Sequence, residues 1–372
     1  MMLQNDNISK NMNNKIGILT WHYYQNVGSQ LQAFALQHVL TNMGYNVNII
    51  DYRNPKIDNS RLFKRKIKVF LSRLFGEKFS KVYYPYLEFQ NKYFKLSPTC
   101  HSVVELNEVL DGYDYIVYGG DQIWAPNVYN SIYFGDGVSN RDIKKISYAS
   151  SIGLRYIPSN LVLKYKHELS DFKSIGIRET TGKAILKKYL DIDSEVVLDP
   201  TLLLDVDTYR NMERRNVNEG RKFIFCYFLK ENHDYRKLVE KYAKNNNLDL
   251  IGITKNKSDI EWMKTIVDSD PLLFLWYIDH AETVFTDSYH GSIFSLLYHK
   301  RFYIFKRFEF GESLDQNSRI EQLAMTFNIN SMIVDANMDN IPDSKIDYSF
   351  IDDILSIERA KSVGYLTKAL SN

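Results

Sequence analysis

Short apolar runs alternate with helical patterns along this chain, and this alternation limits the possible folds more than any other feature. Lys15–Thr20 is apolar and rich in β-branched residues, which predicts a buried strand. A helix is predicted from Ser29 to Met43, with an apolar stripe and Gly44 in the usual position after a helix end. Val47–Asp51 predicts the next strand. A strand–helix–strand unit of this kind favours a parallel sheet.

The same alternation continues in two blocks, which a polar linker near Glu213–Glu219 separates. Further strands are predicted at Tyr115–Tyr118, Ile143–Ala149, Ser174–Arg178, Glu195–Leu198, Phe223–Leu229, Leu248–Ile253, Thr283–Thr286 and Phe302–Phe305. Helical patterns lie near 160–172, 180–190, 234–245, 270–277, 290–298, 317–327 and 346–370. We therefore predict an α/β fold of two Rossmann-like domains that face each other across a cleft.

The domain bounds follow from the two blocks. Residues 1–14 are polar and Asn-rich, and we expect a disordered tail without the apolar core of a signal peptide. The N-terminal Rossmann-like domain is predicted at 15–210 and the C-terminal one at 220–345. Residues 346–372 form a last helix that we expect to cross back over the domain junction. A length of 372 residues suits two such domains.

A basic segment, residues 61–81, interrupts the pattern of the first domain. It combines eight basic residues with large apolar ones at helical spacing, which predicts a basic amphipathic helix. Three explanations stay open. The cationic face can simply be solvated on a helix docked over the first domain, or it can contact a protein partner. It can also contact anionic lipid head groups at the inner face of a membrane, where a lipid-linked acceptor would lie.

Composition excludes several function classes. The net charge of +2 gives no signal for nucleic-acid binding. Cys100 and Cys226 form no disulfide framework, which fits a cytoplasmic protein, and no apolar run is long enough to span a membrane. The sequence contains no Walker A motif, no G-x-G-x-x-G and no zinc-ligand spacing. We therefore predict neither a cofactor nor a metal.

Four polar stretches follow predicted strands, at the sheet edge where α/β proteins bind ligands. They are WHYYQNVGSQLQ at 21–32, YGGDQIW at 118–124, SIGIRE at 174–179 and TDSYHGS at 286–292. In the first, Gly28 and Ser29 begin a helix, and Asn26 and Gln32 carry amides suited to carbohydrate. Capping by Asn26 or Ser29 also explains part of this pattern.

Each of the other three stretches contains one side chain suited to chemistry. Asp121 can act as a base or bind sugar hydroxyls, and helix capping is an equal alternative. Arg178 has the fork that matches a carboxylate or phosphate, unless it forms a structural ion pair. Ser288 is a natural N-cap, which places His290 in the first helical turn. A bound anion there would favour the protonated imidazole that general acid catalysis needs.

These stretches in this order resemble the polysaccharide pyruvyl transferase family. The resemblance covers roughly residues 15–330 and rests on GILTWHYYQNVGSQLQAFALQHVL, YDYIVYGGDQIWAP, ISYASSIG, SIGIRE, VLDPTLLL and VFTDSYHGSIFSLLYHKRFY. It implies a fold similar to that of GT-B glycosyltransferases. It also implies transfer of the pyruvyl group of phosphoenolpyruvate onto two hydroxyls of one sugar, as a ketal, in a bacterial exopolysaccharide, capsule or lipid-linked precursor.

The resemblance also implies roles for single residues. His290 matches the family's functional histidine, and Arg178 matches the arginine that holds the donor. Asp121 matches an acidic position near the acceptor. The sequence departs from the family pattern at Gly120, where many members carry serine. We predict His290 and Asp121 as catalytic. Predicted donor-binding residues are Arg178, Ser288, Gly291, Ser292, Lys306 and Arg319. Predicted acceptor-binding residues are His22, Asn26, Gly28, Ser29, Gln32, Gln122 and Trp124.

Two alternative functions stay open. A glycosyltransferase on the same scaffold would use Arg178 and the helix starts to hold a nucleotide-sugar diphosphate. An inactive sugar-binding or assembly protein of a glycan-synthesis complex would need no acid–base residues.

Overall fold

The computed structural model describes residues 14–54, 84–215, 222–230, 233–253, 262–263, 265–267, 269–308, 315–335 and 337–371. The predicted tail (except Asn14), the basic segment 61–81 and residues 216–219 of the linker lie outside these ranges. The chain divides into two compact units. Unit 1 consists of two chain segments, one up to Leu203 and one from Ala360 onward, and unit 2 is Leu204–Arg359.

Unit 1 is built on a six-stranded sheet in the order β2-β1-β3-β4-β5-β6, in which every pair is parallel. The strands are β1 (Lys15–Leu19), β2 (Asn46–Ile49), β3 (Tyr115–Gly119), β4 (Lys144–Ser150), β5 (Phe172–Ile177) and β6 (Glu195–Val196). Its helices are α1 (Val27–Asn42), α2 (Tyr84–Tyr93), α3 (Val103–Val109), α4 (Ser159–Leu169) and α5 (Thr180–Ile185), which continues as a π-helical turn at Leu186–Leu190.

Unit 2 is built on a second six-stranded parallel sheet, in the order β12-β11-β10-β7-β8-β9. The strands are β7 (Phe223–Tyr227), β8 (Asp249–Ile253), β9 (Thr265–Ile266), β10 (Thr283–Thr286), β11 (Arg301–Phe305) and β12 (Ile333–Val334). The helices are α6 (Val206–Arg210), α7 (His233–Asn246), α8 (Pro271–His280), α9 (Tyr289–Leu297), α10 (Ser318–Thr326) and α11 (Tyr348–Leu370).

The last helix, α11, begins in unit 2, and its residues from Ala360 onward belong to unit 1. Buried hydrogen bonds anchor this end on the sheet of unit 1. The hydroxyl of Tyr365 donates to the carbonyl of Ser147 at 2.8 Å, and that of Tyr115 donates to the carbonyl of Leu370 at 2.9 Å. No helix within the described ranges has the length and apolar character needed to cross a bilayer.

All ten strands predicted from the sequence are present, and the predicted parallel α/β class is confirmed. Sequence reasoning missed β9 and β12, which have only two residues each and therefore no periodicity to detect. It also missed α2, α3 and α6. Helix α1 begins at Val27 instead of Ser29, because Asn26 is the N-cap and accepts a hydrogen bond from the amide of Ser29 at 3.2 Å.

Candidate functional site

Parallel pairing brings the predicted polar stretches together at the carboxyl edge of each sheet. In unit 1, Leu19 of β1 pairs with Tyr118 of β3, so the loop after β1 lies beside the loop after β3. In unit 2, Thr286 of β10 pairs with Tyr227 of β7 and Ile304 of β11. Each unit therefore has its own polar edge, as expected for ligand sites of parallel α/β sheets.

Asp121 is the central side chain of the edge in unit 1. Its carboxylate accepts a 2.6 Å hydrogen bond from the hydroxyl of Ser29, on α1, and a 2.8 Å bond from the amide of Gln122. Both Ser29 and Asp121 are buried. The first turn of α1 thus holds Asp121 in place, and the predicted association of the first two polar stretches is present.

The two glycines before Asp121 are required by the backbone and by close packing. Gly119 and Gly120 have φ of +143° and +91°, which other residues rarely adopt. A Cβ at Gly120 would lie 1.9 Å from Oε1 of Gln32. A residue with a Cβ would therefore not fit at this position without a shift of Gln32.

Several predicted acceptor-binding residues stabilise this edge of unit 1. The side-chain amide of Gln32 is fully buried and donates to the hydroxyl of Thr20 and the carbonyls of Trp21 and Ser29. Trp124 is also fully buried; its ring stacks 5.8 Å from that of Phe134, and its Nε1 donates to a backbone carbonyl. Gly28 is buried in α1. The structure places Trp124 in the core, away from any surface that a sugar could reach.

His22 belongs to a buried ionic network at the ends of β1 and β2. Its Nε2 lies 2.9 Å from Asp51, and its Nδ1 lies 3.1 Å from the carbonyl of Thr20. Both partners are hydrogen-bond acceptors. Arg53 adds two bonds of 2.9 Å to the same carboxylate. His22 therefore orders the loop after β1, and its ring nitrogens are both occupied by the protein.

This network holds the pKa of Asp51 well below its ordinary value. Burial raises the pKa, but hydrogen bonds from His22, Arg53 and Thr99 to the carboxylate outweigh that effect. A carboxyl group with a lowered folded-state pKa contributes stability above its unfolded-state value and loses that contribution as the pH falls.

We expect Asp51→Asn to lower the melting temperature at neutral pH. We also expect the melting temperature of the variant to decrease less than that of wild type as the pH is lowered. An aspartate in an unfolded chain titrates near a pKa of about 3.9, so the difference from wild type should shrink as the pH falls below about 4. Melting temperatures measured from neutral to acid pH test this, with the exposed Asp142→Asn as the charge-matched control. A gap between Asp51→Asn and wild type that stays constant down to pH about 2 would contradict it.

Arg178 follows β5 and forms a buried ion pair. Its Nη1 lies 2.8 Å from Asp199, and both side chains are almost completely buried. The carboxylate of Asp199 also accepts hydrogen bonds from the amide and hydroxyl of Thr201. The structural ion pair that the sequence left open is therefore present.

Glu179 is a second charged residue at this point, which sequence reasoning did not single out. It is 1% exposed, and its Oε1 accepts hydrogen bonds from the amides of Ile152 and Gly153 and the hydroxyl of Ser151. It ties the end of β5 to the loop after β4. Its signal in the sequence was its place after a predicted buried strand.

In unit 2, Asp287 directly follows β10 and joins the ends of three strands at the polar edge. Its carboxylate accepts hydrogen bonds from the amides of Leu229 at 2.7 Å and Lys230 at 2.9 Å, just after β7. Arg307, just after β11, donates from Nη2 to the carbonyl of Asp287 at 3.0 Å, and its Nε lies 3.5 Å from the carboxylate. Burial raises the pKa of Asp287, while Arg307 and the two amides act in the opposite direction.

His290 lies in the first turn of α9, three residues beyond Asp287. It is 7% exposed, and its ring packs edge-on against that of Tyr289 at 5.4 Å. The guanidinium of Arg319, on α10, lies 5.5 Å from the centre of the other ring, that of Tyr289. Arg307 contacts Asp287, just before α9, and Arg319 contacts Tyr289, its first residue. Two arginines therefore lie beside the start of the helix that carries His290.

The remaining predicted donor-binding residues have structural contacts. Ser288 is the N-cap of α9, as predicted, and its hydroxyl accepts a hydrogen bond from the amide of Gly291 at 3.3 Å. The hydroxyl of Ser292 donates to the carbonyl of Ser288 at 3.0 Å. Lys306 is half exposed, with its ammonium 3.8 Å from Glu321. Sequence reasoning chose Lys306 and missed Arg307, the next residue, which is the one that contacts the β10 turn.

Gly291 allows α9 to pack closely on the end of β10, and we expect Gly291→Ala to destabilise the protein by about 1–3 kcal/mol. An added Cβ would lie 2.4 Å from the hydroxyl oxygen of Thr286, which itself donates to the carbonyl of Tyr227. The matched control is Gly364→Ala on α11, where a Cβ would meet no atom within 4 Å. That change should stabilise the helix by about 0.5–1 kcal/mol. Equal melting temperatures of the two variants would contradict this account.

Among the described residues, Glu213, Asp279 and His280 of unit 2 have the spacing of metal ligands, with one ligand atom of each within 4.8 Å of the others. The protein already supplies partners to all three, and for His280 the partner is the carbonyl of Trp276, 2.9 Å from Nδ1. Arg210 forms an ion pair with Asp279 at 3.2 Å, and the hydroxyl of Tyr298 donates to Glu213 at 2.9 Å. A cation there would have to compete with the Arg210 guanidinium, so this cluster is explained as a structural ion-pair network.

Comparison with known proteins gives a family and a fold. The family model described as "Polysaccharide pyruvyl transferase" matches residues 26–307. A search of curated proteins found no match. The solved structure of UDP-GlcNAc 2-epimerase from Neisseria meningitidis bound to UDP-GlcNAc is 10% identical, with 95% of this chain and 100% of that chain covered and a TM-score of 0.50. Acinetobacter baumannii MurG is also 10% identical, with 96% and 94% covered and a TM-score of 0.41.

At such low identity the epimerase shows the fold alone. Its likeness along nearly the whole chain, together with two parallel sheets of six strands, confirms the predicted GT-B-like class.

Proposed function

The chain belongs to the polysaccharide pyruvyl transferase family and is a transferase, and from that premise we propose that it moves the pyruvyl group of phosphoenolpyruvate onto a sugar of a surface polysaccharide or of its lipid-linked precursor. The observation that carries the proposal is the start of α9, where His290 follows two residues that arginines contact, Asp287 with Arg307 and Tyr289 with Arg319. A donor with a phosphate and a carboxylate needs fixed positive charge beside its proton donor.

The donor-binding role is assigned chiefly to the two arginines of unit 2. Arg307 and Arg319 project from different elements, after β11 and on α10, toward one turn. Their guanidinium groups can bind carboxylate and phosphate oxygens in a bidentate manner, which lysine cannot do. The N-terminus of α9 adds its partial positive charge. Arg178 stays a proposed donor contact, although its ion pair with Asp199 already gives it a structural role.

The proposed reaction begins with proton transfer to the donor and conserves protons overall. Protonated His290 donates to the methylene carbon of phosphoenolpyruvate, and the cation that develops at C2 is attacked by one sugar hydroxyl. The C2–O bond to phosphate then breaks, and the second hydroxyl closes the ketal. Of the two hydroxyl protons, one replaces the proton that His290 gave to the methyl group, and the other leaves with phosphate.

The acceptor-binding role is assigned to the polar edge of unit 1, where Asp121 and Ser29 lie. Asn26 and Gln122 lie in the same loops and stay proposed acceptor contacts. The cytoplasmic location and the contact of segment 61–81 with an anionic membrane stay predictions, and that segment lies outside the described residues.

Thermal protection by candidate donors tests the proposal. A ligand that binds only the folded protein raises the melting temperature by mass action. We expect phosphoenolpyruvate to do so, and we expect Arg307→Met to abolish the shift. Arg301→Met is the matched control, because Arg301 lies at the opposite end of β11 and pairs with Asp343.

A shift with a nucleotide sugar such as UDP-GlcNAc, and none with phosphoenolpyruvate, would overturn pyruvyl transfer in favour of glycosyl transfer. A shift with neither would favour an inactive sugar-binding protein.

A further inference from the structure

A cavity lies at the amino edge of the sheet in unit 2. Its volume is about 380 Å³, within the range of about 300–1,000 Å³ that is usual for sites of small molecules. Its lining includes Arg301, the first residue of β11, and Tyr242, whose hydroxyl lies 3.4 Å from that of Thr283 at the start of β10. The proposed donor-binding residues of unit 2 follow the other ends of these strands, so the cavity is separate from that site.

Two segments of unit 2 form the walls of the cavity and are joined by hydrogen bonds. One wall is the second half of α7, and the other is the loop 340–343 between β12 and α11. The ammonium of Lys241, on α7, donates to the carbonyl of Asp339 at 2.9 Å. The hydroxyl of Tyr303, on β11, donates to the carbonyl of Pro342 at 2.7 Å. These bonds hold the loop beside the helix, so the cavity is preformed.

The charged side chains of the lining already have partners in the protein. The guanidinium of Arg301 forms an ion pair with Asp343, and its Nε donates to the hydroxyl of Tyr303 at 3.1 Å. Lys241 is exposed, and water screens its charge. An anionic ligand would have to compete with Asp343 for Arg301. The lining therefore favours a ligand without charge.

Three asparagines give the cavity its capacity for hydrogen bonding. The side-chain amides of Asn245, on α7, and Asn340, in the loop, form no hydrogen bond with the described residues. Asn246 donates from its amide to the carbonyl of Tyr242 at 2.8 Å, which leaves its side-chain oxygen as an acceptor. An amide both donates and accepts, and so does a hydroxyl group. An uncharged ligand with several hydroxyls would therefore match these groups.

Apolar surface in the same cavity fits the remaining part of such a ligand. The half-buried ring of Tyr242 is held edge-on against Phe285 at 5.3 Å and Tyr303 at 6.1 Å. Leu238 and Ile341 also line the cavity. Sites for small molecules combine apolar and aromatic surface with a few placed polar groups. A sugar ring has both kinds of surface, C–H groups on its faces and hydroxyls around its rim.

We propose that this cavity binds one or two units of an uncharged sugar, through hydrogen bonds to the amides of Asn245 and Asn340 and apolar contact with Tyr242. It is a second carbohydrate site, in addition to the acceptor site proposed for unit 1. The binding does not depend on which donor the protein uses.

NMR of the protein labelled with ¹⁵N-asparagine tests the proposal directly. The side-chain signals of Asn245 and Asn340 are assigned by their absence from Asn245→Ala and Asn340→Ala. The probes, at millimolar concentration, are the methyl glycosides of glucose, galactose and N-acetylglucosamine, and the disaccharides maltose, lactose and chitobiose. We expect at least one of these sugars to shift both signals. The signal of Asn160, an exposed asparagine on α4 of unit 1, is the control and should not shift.

The two single variants measure the contribution of each amide. Asn340→Ala should weaken the sugar that shifts Asn245 roughly five- to tenfold, the value of one hydrogen bond, and Asn245→Ala should act equally on the shift of Asn340. Both asparagines are exposed, so neither change should lower the melting temperature by more than the small amount usual for surface positions. Asn160→Ala should leave both shifts unchanged.

Three results would overturn the proposal. One is the absence of any shift of Asn245 and Asn340 with every sugar, and another is an equal shift of Asn160. The third is a shift of the two signals by inorganic phosphate at a lower concentration than by any sugar, which would indicate an anion site.

These outcomes are separable from those of the proposed function. Shifts of Asn245 and Asn340 by a sugar, in a protein that phosphoenolpyruvate does not protect, would support the cavity site and count against pyruvyl transfer. Protection by phosphoenolpyruvate without any shift of these two signals would support the proposed function and reject the cavity site.

Discussion

Replacing His290 by alanine should lower kcat by about 10²–10⁴-fold, the usual contribution of a general acid, and leave the binding of sugar and donor nearly unchanged. The imidazole lies in the first turn of α9, after Asp287, which Arg307 contacts, and Tyr289, which Arg319 contacts. In the proposed mechanism this ring donates the proton that the methylene carbon of the donor accepts.

The measurement is the rate of phosphate release from phosphoenolpyruvate at a saturating concentration of this donor, with a methyl glycoside of a neutral hexose as acceptor. His299→Ala is the matched control, because His299 is exposed in the same unit and pairs with Asp352. We expect it to retain full activity. If His290→Ala raised KM and kept kcat, the residue would bind substrate and another group would be the acid.

Replacing Arg178 by methionine should lower the free energy of unfolding by about 3–5 kcal/mol, because the buried carboxylate of Asp199 would lose its counter-charge. Both side chains of this pair are almost completely buried, and they lie 2.8 Å apart. Lys187→Met is the control: Lys187 forms exposed ion pairs with Asp191 and Asp193, and its loss should not be detectable in a melting curve.

Urea unfolding of both variants measures this difference in the free energy of unfolding. A second substitution tests whether the unpaired buried charge causes the difference. Adding Asp199→Asn to Arg178→Met should recover part of the lost stability, since no unpaired charge is then buried. Stability equal to wild type in Arg178→Met would show that the ion pair is not structural. Donor binding by any Arg178 variant must be compared with its own melting temperature without ligand, because the variant is expected to be less stable before ligand is added.

The fold was largely predictable because its signals are local. Buried parallel strands are short β-branched runs, such as Lys15–Leu19 and Phe223–Tyr227, and the helices between them have an apolar stripe or a cap such as Ser288. The end residues of such strands lie at one edge, so Asp121 and His290 could be assigned to polar edges without coordinates. Elements of two residues, such as Ile333–Val334, carry no such signal.

The contacts of the site were not predictable, because they join residues that are distant in the chain. Nothing near Arg178 indicates that its partner is Asp199, and nothing near His22 indicates Asp51. Side-chain direction was also hidden: Lys306 and Arg307 are adjacent cations, but only Arg307 contacts the turn after β10.

The amide of Gln32 and the indole of Trp124 look like sugar-binding groups in the sequence. In the structure both are buried and donate hydrogen bonds to the protein itself. Polar residue types beside a strand end thus indicate the sheet edge at which they lie, but not the groups that they contact.

The most direct test of pyruvyl transfer is to follow the carbon of the donor. Phosphoenolpyruvate labelled with ¹³C at C2 would be incubated with the protein and a methyl glycoside of a neutral hexose as acceptor. The products would be observed by NMR. The account predicts a new ketal carbon on the sugar, formed in equal amount with inorganic phosphate in wild type and lost in His290→Ala. Label that stays in phosphoenolpyruvate or appears only as free pyruvate, while a nucleotide sugar donates its glycosyl group to the same acceptor, would contradict it.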